Sequence, residues 1–270
     1  MFWELPRNRV HLDDLCYLAI LNITPDSFSD GGIFFDTDSA LNHVRELLAQ
    51  GAKIIDIGAE STKPGSHPLE PNKECVRIAP VISGIRKEHP GCLLSIDTRH
   101  SETARLALYL GADIINDVTG FQDPEMLELV LNSKCALIAM RIRMINGHIW
   151  MPDYSDSSPK DADGAIKELE IVRDRLLNAG IQPERILLDP GFGFGTTYLE
   201  DQALWNALSE MPTLLNWPVE RFCIGISRKR FVTRYFGLSD NSLLDIKTAE
   251  LNKRAANIGY RVFRTHSIPR

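Results

Sequence analysis

Two groups of polar residues stand out, because each member follows or ends an apolar, strand-like run. Asp97, Asn116 and Asp189 end runs that are otherwise apolar, where a carboxylate is costly unless it is paired or bonded to a ligand. Two carboxylates and an amide suit a heterocycle rich in N–H groups and ring nitrogens. The second group is cationic and suits phosphate or carboxylate: Lys63, Arg228, Lys229, Arg264 and His266. Together the groups predict a small anionic substrate.

The segment "ILNITPDSFSDGG" (residues 20–32) begins like a buried strand and ends as a polar loop closed by glycines. It is longer than the two to five residues of an ordinary hairpin turn. It carries hydroxyl, amide and carboxylate side chains together with one aromatic residue, Phe28. The segment is therefore interpreted as a loop that binds a ligand.

Eight short apolar runs must position these residues: 15–23, 53–59, 92–98, 114–120, 135–142, 186–191, 221–227 and 261–266. Their nearly continuous hydrophobicity is typical of parallel strands covered on both faces. Helical patterns lie between them, within 40–48, 72–89, 101–110, 124–131, 166–176, 204–215 and 243–258. Strict alternation without a linker predicts an α/β fold, a (β/α)₈ TIM barrel forming one domain over residues 1–270. Only residues 267–270 follow the eighth run, so the barrel is predicted to lack its final helix.

In such a barrel the catalytic groups lie at the carboxyl ends of the strands. Each of the eight runs delivers polar or charged residues at its exit, which predicts a ring of functional groups over one mouth of the barrel. Asp117 is the exception. It neighbours Asn116 and should point to the other face of its strand, so a structural role is predicted for it.

Composition excludes several classes of protein. A net charge of -6 argues against a general nucleic-acid binder, and no apolar run approaches the length of a membrane span. Five scattered cysteines suit a reducing cytosol. We therefore expect a cytoplasmic protein without nucleic-acid or membrane partners. The motif "GFGFG" at 191–195 is not a dinucleotide fingerprint, and "GISRK" is not a serine nucleophile elbow.

Seven motifs together resemble one family: "ILNITPDSFSDGG", "IDIGAESTKPGS", "SIDT", "INDV", "LLDPGFGFG", "GISRKRF" and "FRTH". Their order and spacing between Leu18 and His266 are similar to those of dihydropteroate synthases. The resemblance implies a homodimeric TIM barrel. It implies an enzyme that joins (7,8-dihydropterin-6-yl)methyl diphosphate to 4-aminobenzoate, releasing diphosphate, in folate biosynthesis.

The resemblance also implies roles for residues at matching positions. Binding of the pterin falls to Asp97, Asn116, Asp189, Lys229, Met140 and Phe194. Asn22 would bind Mg²⁺ carried in with the diphosphate, and the phosphates would be held by Thr62, Arg264 and His266. Two lid loops, one with Phe28 and Asp30 and one with Lys63 and Pro64, would close over the site. The catalytic residues implied are Asn22, Lys229, Arg264 and His266.

Departures from the family pattern leave alternatives open. Lys63 replaces a usual Arg, Arg141 replaces a common His, and Thr196 replaces a frequent Lys. A pterin-binding paralogue without synthase activity fits these departures. A Schiff-base aldolase would need Lys229 without its two arginine neighbours. A corrinoid methyltransferase should lack the "STKPG" loop and the terminal "RTH".

Overall fold

The computed structural model describes residues 1–23, 37–60, 69–145, 148–150, 152–156, 158 and 160–269. Its strands are, in chain order, β1 (Phe2–Glu4), β2 (Arg9–His11), β3 (Cys16–Asn22), β4 (Ile54–Gly58), β5 (Leu93–Asp97), β6 (Ile114–Asp117), β7 (Ala136–Met140), β8 (Met144–Ile145), β9 (His148–Ile149), β10 (Ile186–Asp189), β11 (Cys223–Ile224) and β12 (Val262–Thr265). Its helices are α1 (Thr37–Ala49), α2 (Pro71–Glu88), α3 (Ser101–Tyr109), α4 (Pro124–Leu131), α5 (Asp163–Asn178), α6 (Tyr198–Asn206), α7 (Met211–Leu214), α8 (Arg230–Phe236) and α9 (Asn241–Ile258).

Eight parallel strands form the central sheet, in the spatial order β10-β7-β6-β5-β4-β3-β12-β11. A single bridge between Leu188 and Phe222 joins β10 to β11 and brings the two edges together. The sheet is therefore a nearly closed barrel with helices between its strands, and the predicted TIM barrel is confirmed. Residues 266–269, after β12, form no helix.

The strands form because their side chains are buried on both faces. All five residues of β4 and all five of β7 are buried. Outward-facing apolar residues pack against the helices, and a second apolar cluster fills the amino-terminal half of the barrel, including Leu18, Ile54 and Val262. The antiparallel hairpin β1–β2 closes that end with Trp3, whose Nε1 donates to the Arg185 carbonyl at 2.9 Å. This hairpin was not predicted from the sequence, because strands of three residues leave no readable pattern.

One helical prediction was wrong in detail, and one helix was not predicted. The helix predicted over 204–215 is divided into α6, a 3₁₀ turn (Ala207–Ser209) and α7, which carries Pro212 in its first turn. Proline has no N–H to continue the preceding helix, so a new helix begins there. Helix α8 was not predicted. It follows Lys229 directly and ends at Gly237, whose φ of 66° stops it.

None of the helices in the described residues combines the length and apolar character needed to cross a lipid bilayer.

Candidate active site

Three predicted residues lie at one level because of strand register. Asn22 pairs with Gly58, Gly58 with Asp97, and Asp97 with Asn116, across β3, β4, β5 and β6. A Cβ on Gly58 would lie 3.6 Å from the Asp97 Cβ and 3.7 Å from the Asn22 Oδ1. The missing side chain therefore leaves space between Asn22 and Asp97 at the carboxyl end of the barrel.

Arg264 on β12 lies between two carboxylates. Its Nε donates to Asp56 Oδ2 at 2.6 Å, and its Nη2 donates to Asp97 Oδ2 at 2.5 Å. Burial opposes the charge of Arg264, but the two carboxylates outweigh it and raise the pKa of the guanidinium. Arg264 is thus a fixed cation with Nη1 engaged by neither carboxylate.

The pKa of Asp97 is raised to about 7, chiefly by burial. The positive charge of Arg264 lowers the pKa of Asp97, and the negative charge of Asp56 partly cancels that effect. An ordinary Asp titrates near pH 4. The raised pKa of Asp97 is therefore of the kind found in catalytic and ligand-binding sites.

A second pair of charged residues lies near Arg264: Asp189 at the end of β10 and Lys229 in the turn before α8. Asp189 is buried, and its Oδ1 accepts a hydrogen bond from the Gly191 N–H at 2.7 Å. Burial raises the pKa of Asp189 while Lys229 lowers it, and burial lowers the pKa of Lys229 while Asp189 raises it. A Cβ on Gly225 would lie 3.2 Å from Asp189 Oδ2 and 3.8 Å from Lys229 Nζ. A glycine there lets the two charges approach each other.

An apolar wall lies beside these charges. Met140, Val118 and Ile142 form a buried cluster, and Phe194 packs against it. The Lys229 Nζ lies 4.6 Å from the centre of the Phe194 ring. The region between these charged groups and the apolar cluster, here called the slot, has a lining that suits a flat heteroaromatic ring.

His266 lies next to the buried Ser227. The His266 N–H donates to Ser227 Oγ at 3.2 Å, and the same oxygen is 3.0 Å from the ring Nδ1. The serine therefore holds both the backbone and the ring of His266, two residues beyond Arg264 on the chain.

Two cations from the sequence analysis do not face the slot. Arg228, assigned there to the cationic group, instead donates from Nε and Nη2 to Asp245 on α9, at 2.9 and 2.7 Å. Arg141 is fully buried and donates to the carbonyls of Pro190 and Gly191 and to Glu168. Arg141 thus supports the loop after β10, and the structure gives it no ligand-facing position.

Five other predicted residues lie outside the described residues: Phe28, Asp30, Thr62, Lys63 and Pro64. The structure does fix both sides of the 61–68 segment. Glu60 accepts from the Leu69 N–H at 3.1 Å, and the same carboxylate pairs with Arg99.

Asp201 on α6 is a residue that the sequence analysis missed. It is fully buried and accepts hydrogen bonds from the Gly193 N–H at 2.9 Å and from the hydroxyls of Thr196 and Tyr154, each at 2.8 Å. It thereby fixes the glycine loop that carries Phe194. A signal was available, because Thr197 and Glu200 form a capping box that places Asp201 in the first helical turn.

Replacing Asp201 by Ala is expected to destabilise the protein by about 2–3 kcal/mol, because one buried and two partly buried donors lose their acceptor. Tyr154→Phe removes one of the three donors and should cost about 1 kcal/mol. Urea unfolding of both variants measures the difference. Equal losses would show that the carboxylate does not organise the loop.

Comparison with known proteins shows the family to which this chain belongs. Residues 18–266 match the family described as pterin binding enzyme, and the chain belongs to that family. The dihydropteroate synthase of Streptococcus pyogenes is 38% identical over 256 residues, which cover 93% of this chain and 90% of the relative. The family resemblance read from the sequence is confirmed.

Solved structures that resemble this chain are also dihydropteroate synthases. Dihydropteroate synthase of Xanthomonas albilineans with 4-aminobenzoic acid has a TM-score of 0.86 at 30% identity and covers 99% of this chain and 94% of its own. The enzyme of Burkholderia cenocepacia, complexed with 7,8-dihydropteroate, has a TM-score of 0.82 at 28% identity and covers 99% and 91%. These relatives and neighbours are transferases.

Proposed function

We propose that this chain catalyses the dihydropteroate synthase reaction of folate biosynthesis. It joins (7,8-dihydropterin-6-yl)methyl diphosphate to 4-aminobenzoate and releases diphosphate and 7,8-dihydropteroate. The observation that carries the proposal is the placement of Arg264, which contacts Asp97 of the proposed pterin group while its Nη1 is left for a phosphate. Family membership and the ligands of the neighbouring structures support it.

The pterin lies, in this proposal, in the slot between the carboxylates and the apolar wall. Asp97 and Asp189 accept its N–H groups, Asn116 binds its edge, and Met140 and Phe194 contact its face. Burial keeps water from competing for these hydrogen bonds, so the ring is recognised by its donors.

Diphosphate departure is the difficult step, because an aromatic amine is already neutral near pH 7 and needs no base. Negative charge grows on the leaving group as the C–O bond breaks. Arg264 and His266 stabilise that charge, and their fixed positions avoid reorganisation during the step. Lys229 holds the pterin beside Asp189.

The second substrate, 4-aminobenzoate, is proposed to bind in a pocket to which the two lid loops contribute. Phe28, Asp30, Lys63 and Pro64 contribute to its pocket, and Thr62 adds a phosphate contact. The family resemblance supports these assignments, all of which fall outside the described residues.

Mg²⁺ fits the donor set around Asn22. The described residues contain no cluster of three or more His, Cys, Asp or Glu that could hold an ion alone. Mg²⁺ usually keeps several waters and binds through one or two carboxylates and substrate phosphates, so Asn22 Oδ1, beside Gly58, would supply one oxygen of its coordination shell. When bound, the ion neutralises charge on the departing diphosphate.

Asn22→Ala is expected to weaken the Mg²⁺-dependent part of pyrophosphate binding and to leave binding without Mg²⁺ unchanged. The amide oxygen is proposed as an ion ligand and has no direct phosphate contact. Calorimetric titration of pyrophosphate, with and without Mg²⁺, measures both parts. Equal weakening in both titrations would contradict the assignment.

Binding of a bare pterin, one without its diphosphate, is expected to weaken as pH falls below about 7. Asp97 becomes protonated on the acid side of its raised pKa and then accepts N–H groups poorly. Fluorescence titration from about pH 5.5 to 8.5 follows this change. Asp97→Asn is the control and should lose the dependence. A wild-type affinity that is flat with pH would show that Asp97 either has no raised pKa or makes no contact with the pterin.

The reaction itself is tested by supplying each substrate alone and then both. Diphosphate should be released in quantity only with both substrates present. If no diphosphate is released even with both substrates present, while bare pterin still binds, the chain is the pterin-binding paralogue without synthase activity.

We also propose a cytoplasmic homodimer without nucleic-acid or membrane partners. The exposed apolar side chains of Leu243, Ile246 and Ile258 on α9 support association of two copies. Sedimentation equilibrium gives the number of copies.

A further inference from the structure

Asp56 is a buried carboxylate for which the proposed reaction has no direct use. It occupies the middle of β4, has no solvent exposure, and pairs in register with Ile20 on one side and Ser95 on the other. A carboxylate in that position is costly unless donors satisfy it.

Its donors come from opposite sides of β4. Arg264 on β12 donates from Nε at 2.6 Å, and Asn116 on β6 donates from Nδ2 at 3.3 Å. In the sheet, β12 lies two strands from β4 in one direction and β6 two strands in the other. One carboxylate therefore joins a residue proposed to bind the diphosphate to a residue proposed to bind the pterin.

These bonds fix orientation as well as charge. The guanidinium must turn its Nε edge toward Asp56, which directs Nη1 away from that carboxylate. The Asn116 amide must turn its amino group toward Asp56, which leaves its carbonyl oxygen as an acceptor for a ligand. Among the described residues, Asp56 is the carboxylate that bonds both side chains, whereas Asp97 bonds Arg264 but not the Asn116 amide.

We infer that Asp56 is a positioning residue that orients Arg264 for the leaving diphosphate and Asn116 for the pterin. The inference rests on the proposed function and deepens it. Asp56 acts through these two side chains and does not itself contact substrate.

Double-mutant cycles test the inference. Asp56→Asn should lower kcat and weaken bare-pterin binding, each by about 10-fold. In an Arg264→Ala background the further loss of kcat should shrink to less than about 2-fold, since the residue it positions is gone. In an Asn116→Ala background the further loss of pterin affinity should shrink in the same way. Full, additive losses in both backgrounds would overturn the inference.

Two more variants separate positioning from folding and from charge balance. Asp117→Asn is the matched control, because Asp117 is equally buried but binds Thr119 and the Phe121 N–H. It should lower stability while its losses, if any, stay additive with Arg264→Ala. Asp56→Glu keeps the charge but moves the carboxylate, so kcat should still fall. An unchanged kcat in Asp56→Glu would show that only the charge matters.

The binding measurements keep this inference apart from the proposed function. A wild-type protein that binds no bare pterin and releases no diphosphate would defeat the proposed function. An active wild type with additive cycles would defeat only the role of Asp56.

Discussion

Replacing Arg264 by Ala is expected to lower kcat by about 10²-fold or more, the scale seen when one preorganised charge-stabilising group is removed. The attraction to the leaving diphosphate grows as its charge develops, so the loss should fall mainly on kcat. Removing the cation also leaves Asp56 and Asp97 facing each other without it. Steady-state kinetics with both substrates measures the effect.

Two further arginine variants give this prediction its controls. Arg264→Lys should recover only part of the rate, because one ammonium cannot reproduce the planar fork that meets both carboxylates. Arg228→Ala removes an arginine that pairs with Asp245 and should change kcat by less than about 2-fold. If Arg264→Ala retains wild-type kcat, Arg264 has no part in the departure of diphosphate.

The contact with Asp97 also links Arg264 to pterin recognition. Since Arg264 lowers the pKa of Asp97, its loss should shift the pH dependence of bare-pterin binding to higher pH. If Arg264 acted only on the diphosphate, its loss would leave the pH dependence of bare-pterin binding unchanged. A shift would show that the guanidinium of Arg264 links the pterin end of the substrate to the diphosphate end.

Asp189→Ala is expected to weaken bare-pterin binding by about 10²-fold, because donors of a buried ring lose a charged acceptor. The same change removes the counter-charge of Lys229, whose pKa should then fall further. Calorimetric titration of the bare pterin measures the loss of affinity.

Asp189→Asn separates recognition from loop structure. It keeps an oxygen for the Gly191 N–H, so the loop should remain in place while the charge facing Lys229 is lost. Its affinity should therefore stay well below that of the wild type. Wild-type affinity in Asp189→Asn would show that Asp189 serves the loop and not the pterin.

The barrel could be predicted from the sequence because hydrophobic burial acts locally on each strand. Runs such as those ending in Asp97 and Asn116 are apolar along their length and change abruptly at their polar ends, so both the strand and its exit are readable. The hairpin β1–β2 and the break at Pro212 were missed because a few short-range contacts decide them.

The partners of the site residues could be predicted less well. Periodicity indicated that Asp97 and Arg264 lie at the same mouth, but not that Arg264 bonds Asp97 and Asp56 together. That pairing depends on the order of strands around the barrel, in which β3 and β4 lie between β12 and β5. Likewise, nothing local distinguishes Arg228, turned toward α9, from its neighbour Lys229, turned toward Asp189.

One mouth of the barrel is proposed to hold the pterin and to expel its diphosphate. The most direct measurement is the ratio of 7,8-dihydropteroate formed to diphosphate released by the purified protein given both substrates. We expect equal amounts of the two products, with formation of both falling by about 10²-fold or more in Arg264→Ala. Diphosphate release without dihydropteroate, or equal rates in the wild type and Arg264→Ala, would contradict it.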